Sequence, residues 1–533
     1  MNDGDDRGEE GRSGTDGPRL LPEATDVLVE RQRRVLDRHD DRFEAAKELV
    51  EHLGAQWRPE EGYAEVGFWT PELAEAVPAD AVELEVLTAR EPVDLGTETT
   101  VEFDHATVGT RREGEFTWAA VEGMRPGTRE ELGSLYRLVY EHEGERREVQ
   151  DPLAASLPFG AFAPAELYDL DRLDRERADR DHFQSLGTDG EAVPTSEDGG
   201  LPRVEPATSM LEIHPGTATD EGSLGALARR FREIAERQRD GAELAPADRN
   251  FLGYDAVQLM PVEPITENEG HPGYFRPEER TDDRVEATVE PPEMRNWGYD
   301  IVVAGFPAVN PAILETGRPD ELVDFIAACH EMPRPVRVVF DVALGHADGG
   351  ALELLPDRFL SGPGMYGQEL AYTEPVVRAM LLEMQRRKMD LGADGIRVDG
   401  AQDFTNWSEG RGEWHDDEFL AEMDRVTQEV AGTEYRPWMI YEDGRPWPRE
   451  DWELASTYRT LVEQHPHSFQ WSPVTFAHNT PALLTFWATK WWRVREVADL
   501  GSNWITGVAN HDTVRRGGQR SVGTSWEDDP INP

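Results

Sequence analysis

Residues 336–346 read VRVVFDVALGH, and residues 394–399 read DGIRVD. Each is a short, β-branched apolar run that ends in an aspartate. A run that is apolar at nearly every position marks a strand covered on both faces, the habit of parallel sheets. Between the two lies VVRAMLLEMQRRKMDLG (376–392), and before them ELVDFIAACHEM (321–332), both with apolar residues at helical spacing. Outward from this centre the alternation continues. SMLEIH (209–214) precedes the helical GALARRFREIAERQ (225–238) and then DAVQLMPV (255–262); later come WMIYE (438–442) and WITGVAN (504–510). Alternating strands and helices predict an α/β fold with a parallel sheet under helices. The units are too many for a small open sheet, and ionisable residues gather where the strands end. That is the pattern of a (β/α)8 TIM barrel, expected over residues 206–533.

The strand ends carry the chemistry. Asp341 closes one strand with His346 five residues on; Arg397 and Asp399 close the next; Glu442 closes WMIYE; His511 and Asp512 follow WITGVAN. A carboxylate at the edge of a buried sheet is costly to desolvate unless paired, so several together point to a site. Singly, each has a plainer reading: an ion pair for Arg397–Asp399, a helix cap for Asp341, a surface histidine for His346.

The motifs DVALGH (341–346), GIRVD (395–399), Glu442 within IYEDG, and NHD (510–512) resemble, in order, the four motif regions of glycoside hydrolase family 13, the α-amylase superfamily. SMLEIHPGTATDEGSLGAL, DAVQLMPVEP, WGYD (297–300) and VNP (309–311) extend the resemblance across about residues 205–520. It implies a retaining glycosidase. Retention needs two carboxyl groups roughly 5–5.5 Å apart, one ionised to attack the anomeric carbon and one protonated to release the leaving oxygen. Asp399 suits the nucleophile, with Arg397 two residues earlier to stabilise its carboxylate. Glu442, with a carboxylate beside it to raise its pKa, suits the acid/base. By resemblance Asp512 stabilises the transition state, His346 and His511 contact the glucosyl unit, Tyr299 stacks on it, and Asp341 orients the site.

Three departures bear on the substrate. Gly345 stands where calcium-binding relatives carry Asn, and it offers no side-chain oxygen, so neither calcium nor any other metal or cofactor is expected. Gly400, Ala401, Gln402 and Asp403 follow the nucleophile in place of the Lys-His of starch-cleaving relatives. About 27 residues separate His346 from Glu374, too few for an extra domain. These favour a pocket for a small α-glucoside, and within the superfamily the chain is most similar to glucosylglycerol hydrolases. A maltooligosaccharide hydrolase or α-glucosidase, a glucan branching or transfer enzyme, and a non-catalytic carbohydrate-binding protein are the alternatives. Only 21 residues follow Asp512, fewer than an eighth strand and helix need, so the barrel is expected to be incomplete at the C-terminus.

Upstream, the texture changes. Residues 1–20 read as a disordered acidic tail, 21–60 as helices, 61–150 as a β-sandwich and 151–205 as a connecting segment. The helices rest on Val27, Leu28, Val35, Leu36, Phe43, Ala46, Leu49 and Val50, and the sandwich on AEVGFW, VELEVL, TTVEF, FTWAAV and YRLVYEH. YRLVYEHEGERREVQDPLAASLPFG (136–160) resembles the end of a family 48 carbohydrate-binding module.

Composition narrows the setting. Asp plus Glu number 107 against 54 Lys plus Arg, a net charge of −53. Such a chain repels phosphate backbones, which argues against nucleic acid as partner. It matches a salt-adapted cell, where the Debye length shrinks to about 3 Å and self-repulsion is screened. The absence of an apolar run of about 18 residues argues against a membrane span. One cysteine, Cys329, and a polar N-terminus suggest a cytoplasmic protein.

Overall fold

The structure is a computed structural model describing residues 17–186, 192–194, 201–267, 271–294, 296–364, 366–445, 453–471, 488–501, 503–507 and 510–511. Its centre is a six-stranded parallel sheet in chain order: Met210–Ile213, Ala256–Leu259, Arg337–Val342, Gly395–Val398, Trp438–Glu442 and Ser468–Trp471. Helices alternate with these strands, among them Leu224–Arg239, Asp320–His330, Pro375–Met389, Asp417–Arg425 and Glu453–Gln464. The apolar strand residues explain the architecture. Leu259, Val338, Ile396, Val398 and Met439 are all 1% exposed or less. Both faces of the inner strands are covered, which is why these runs do not alternate with polar residues. Gly395 suits tight packing: a Cβ there would lie 3.0 Å from the Trp438 carbonyl oxygen.

The sixth strand, SFQW, lies between WMIYE and WITGVAN and was not among the runs read from sequence. Ser468–Trp471 pairs with Met439–Glu442, and Trp504 then bridges Gln470 in parallel, one place further on. The sheet curls far enough for His511 to donate its backbone N–H to Glu212 on the first strand, at 2.8 Å.

Two antiparallel sheets precede the barrel. One joins Gly54–Arg58, Tyr63–Trp69, Phe116–Glu122, Arg111–Glu113 and Arg19–Leu20. Arg19 and Leu20, assigned from composition to the acidic tail, pair with Glu122 and Val121. The second sheet holds Val82–Ala89, Thr99–Gly109 and Leu135–His142, and takes in the hairpin Phe275–Arg280 and Arg284–Val289 from between the second and third barrel strands. The helix Pro22–Arg38 buries Leu28, Gln32 and Val35, and Trp118 Nε1 donates to Gln32 Oε1 at 2.7 Å. Val27 and Leu36, counted in sequence among its apolar positions, are about half exposed. The helix Arg42–Val50, capped by Asp41, packs against the barrel helix Pro375–Met389. The connecting segment carries the short helices Leu170–Glu176 and Arg180–Leu186. No described helix is long and apolar enough to cross a membrane.

Candidate active site

Four of the expected residues meet around one buried guanidinium. Arg397 points inward from the fourth strand, and its Nη1 donates to Asp341 Oδ1 and Oδ2 at 2.6 Å each and to Asp399 Oδ1 at 3.1 Å. Its Nη2 lies 3.1 Å from Glu442 Oε2. The alternation of a strand explains the grouping, since residues two apart, Arg397 and Asp399, share a face. The register aligns Arg397 with Asp341 on one side and Ile440 on the other, bringing Glu442 to the same end. Burial works against the arginine's charge, yet Asp341, Tyr299, Glu442 and Asp399 together hold its pKa well above the ordinary value.

Asp341 is the anchor. It also accepts from Tyr299 OH at 2.7 Å and Gln258 Nε2 at 2.8 Å. Burial nonetheless leaves its pKa raised, against the pull of Arg397.

Asp399 is partly open, its side chain 15% exposed. Its pKa is raised: burial is the largest cause and outweighs Arg397, which lowers it, and a hydrogen bond with Glu442. Arg397 stabilises this carboxylate as the spacing suggested, but does not set the net direction. After Asp399 the chain turns through Gly400 at φ +60°, a left-handed conformation suited to glycine. The turn aims the Gly400 N–H at Glu442 Oε2, 3.1 Å away. Glu442 thus faces Asp399, Arg397 and Gly400. Asp443, next in the chain, is engaged by Arg445, at 2.6 to 3.0 Å.

Tyr299 and His511 pack together, ring centroids 4.8 Å apart, with Trp297 4.7 Å from Tyr299. Tyr299 is 4% exposed, and its hydroxyl serves Asp341. His511 Nδ1 lies 2.7 Å from Glu212 Oε1. His346 is half-buried beside the Tyr366 ring at 5.2 Å, and burial lowers its pKa. Asp512 lies outside the described residues. Three residues of this site were not singled out from sequence: Glu212, Gln258 and Trp471, over whose ring Arg397 sits at 4.7 Å. The first two stood out as polar positions within the apolar runs SMLEIH and DAVQLMPV; Trp471 ends the overlooked sixth strand.

Residues 27–527 match the family described as hypothetical glycoside hydrolase 5. The chain belongs to this glycoside hydrolase family. No curated protein matches it. Among solved structures it is similar to the pullulanase of Anoxybacillus sp. LM18-11 complexed with maltotetraose, at 16% identity and a TM-score of 0.54, covering 90% of this chain and 65% of that one. It is also similar to the Paenibacillus barengoltzii pullulanase complexed with maltohexaose and α-cyclodextrin, at 16% identity and a TM-score of 0.48, covering 82% and 60%. The chain thus spans less than two thirds of these neighbours' lengths. At this identity the Anoxybacillus likeness establishes the fold, an α/β barrel of the pullulanase type.

Proposed function

We propose that the chain hydrolyses α-glucosidic bonds with retention, Asp399 acting as nucleophile and Glu442 as acid/base. The observation that carries this reading is Arg397, within 3.1 Å of both carboxyl groups. Asp399 attacks the anomeric carbon while Glu442 protonates the departing oxygen. Glu442 then takes a proton from the water that cleaves the glycosyl ester on Asp399. Glu442 faces Asp399 closely enough to lower its pKa against the raising effect of burial, and Arg397 holds Asp399 in place for attack. Asp512 is assigned transition-state stabilisation by resemblance to family 13, and Tyr299, His511 and His346 line the glucosyl unit.

The substrate in this reading is a small α-glucoside such as glucosylglycerol. The positions after the nucleophile support it. The Gln402 side chain receives the Gly444 N–H at 2.8 Å and donates to Asp403 at 3.2 Å, so these two positions offer a long chain no cation. The maltotetraose carried by the Anoxybacillus pullulanase makes a maltooligosaccharide the second reading. The β-sandwich read over residues 61–150 acts as a carbohydrate-binding module of the family 48 kind, in a salt-adapted cytoplasm. Initial kcat/KM in 2 M KCl, compared across glucosylglycerol, glucosylglycerate, sucrose, trehalose, maltose, maltotetraose and starch, tests the substrate. A small α-glucoside should lead by tenfold or more, about 1.4 kcal/mol in the transition state. A tenfold lead for maltotetraose or starch overturns it.

A further inference from the structure

Beyond Asp399 the chain makes a tight turn that brings a third carboxylate to the catalytic end. Gly400 sits at φ +60°, the short turn Ala401–Asp403 follows, and the Asp403 N–H closes back on the Gly400 carbonyl at 2.8 Å. A Cβ placed on Gly400 would lie 2.6 Å from Asp403 Oδ2, so the missing side chain is what lets Asp403 stand against the residue that follows the nucleophile. The same glycine donates its N–H to Glu442 Oε2 at 3.1 Å. Gln402 ties the turn to the segment after Glu442, its Oε1 receiving the Gly444 N–H at 2.8 Å. Asp403 is thus flanked by the turn after the nucleophile and the segment after the acid/base.

We propose that Asp403 selects the leaving group: its carboxylate accepts the hydroxyls of a neutral polyol aglycone and turns away aglycones that carry a negative charge. This rests on the glycosidase reading above and adds to it the residue that chooses the aglycone.

The leaving oxygen must meet Glu442, so whatever hangs from that oxygen lies beside Glu442 and toward solvent. Asp403 is exposed and borders Glu442 across Gly400, which has no side chain to stand between them. Tyr299 and His511, assigned to the glucosyl unit, gather at Asp341 and Glu212 instead. Asp403 also has acceptor capacity to spare. Among the described residues the side-chain hydrogen bond it accepts comes from Gln402 Nε2, to Oδ1 at 3.2 Å. An ionised carboxylate has about four acceptor sites, and each hydroxyl of a polyol is a donor.

Charge supplies the selection. The outer face of Asp403 is open while its carboxyl is backed by protein. Burial, the largest effect, raises its pKa to about 6; His346 and Gln402 pull against that, and Glu442 and Asp443 push with it. A further anion brought here meets the same carboxylates. The cations at hand are engaged, Arg397 by Asp341, Asp399 and Glu442, and Arg445 by Asp443 and Asp417. Rejecting one aglycone by an unpaired like charge is as effective a route to specificity as binding another. The competing role for Asp403 is a contact to the glucosyl unit beside His346, and a substrate with no aglycone separates the two.

The test uses the full chain in 2 M KCl at pH 8, where Asp403 is ionised, with glucosylglycerol, glucosylglycerate and α-glucosyl fluoride, whose leaving group is fluoride alone. Wild-type kcat/KM should favour glucosylglycerol over glucosylglycerate by about tenfold or more. Asp403→Ala should lower kcat/KM for glucosylglycerol by about tenfold or more, chiefly through KM, and for α-glucosyl fluoride by less than about threefold. Asp403→Lys should reverse the order of glucosylglycerol and glucosylglycerate. An unchanged melting temperature in Asp403→Asn shows that the turn is intact, and that variant should lose part of the charge selection. Equal losses on glucosylglycerol and α-glucosyl fluoride would make Asp403 a glucosyl contact or a structural residue and overturn the proposal. So would the absence of a wild-type preference for glucosylglycerol. Turnover of α-glucosyl fluoride by Asp399→Asn at the wild-type rate would instead strike the glycosidase reading, and this proposal with it.

Discussion

Arg397 Nη1 lies 2.6 Å from each carboxylate oxygen of Asp341, and neither side chain has any exposed surface. Removing one partner from such a buried pair costs about 3–5 kcal/mol, because the other is left charged and unpaired. Asp341→Asn is therefore expected to destabilise the fold by about 3 kcal/mol and to depress kcat/KM, because Arg397 then swings toward Asp399 and Glu442. Chemical denaturation of the two proteins in the same salt checks this. An unchanged midpoint would show the pair to be incidental.

The raised pKa of Asp399 sets a direction for the pH profile. Its carboxylate must be ionised to attack, so kcat/KM falls as pH drops through that pKa. Burial is the leading cause of the shift and Arg397 the main opposing one. The acidic limb should therefore lie above the ordinary aspartate value of about 3.9. Arg397→Lys, which keeps the charge but not the several contacts, should move the limb further up by about one unit. A limb that stays put or moves down would remove Arg397 from this role.

Tyr299 has two separable jobs. Its hydroxyl serves Asp341, which keeps Gln258 and Arg397 as partners; its ring packs on His511. Tyr299→Phe should cost about 1 kcal/mol of stability and little activity. Tyr299→Ala should lower kcat/KM by tenfold or more through the displaced His511. Equal activity loss in both variants would place the function in the hydroxyl.

With a net charge of −53, stability should rise steeply with ionic strength, since screening is nearly complete at molar salt. The melting temperature measured from dilute buffer to 2 M KCl should climb throughout. A flat response would contradict salt adaptation.

The legible parts of the fold were those written locally. The strands ending in Asp341, Asp399 and Glu442 each carry a continuous apolar run, and register on neighbouring strands brings their last residues together. SFQW was not legible: four residues with a glutamine inside make no run, and Gln470 is a buried polar residue whose backbone pairs with Asn503 and Ile505. The hairpin Phe275–Val289 was missed for a different reason. Its partner is Thr99–Gly109, far upstream, and pairing across such a distance leaves no trace in local spacing. Within the site, Gln258 and Glu212 were visible as polar interruptions, but only the geometry shows that one serves Asp341 and the other His511.

The central claim is that Asp399 becomes esterified by the sugar. Incubation with 5-fluoro-α-D-glucosyl fluoride in 2 M KCl should slow release of the covalent intermediate enough to trap it. Digestion and mass spectrometry should then find one glycosyl group per chain, on the peptide containing Asp399 and absent from Asp399→Asn. A glycosyl group on any other residue, or turnover of α-glucosides by Asp399→Asn at the wild-type rate, would contradict the account.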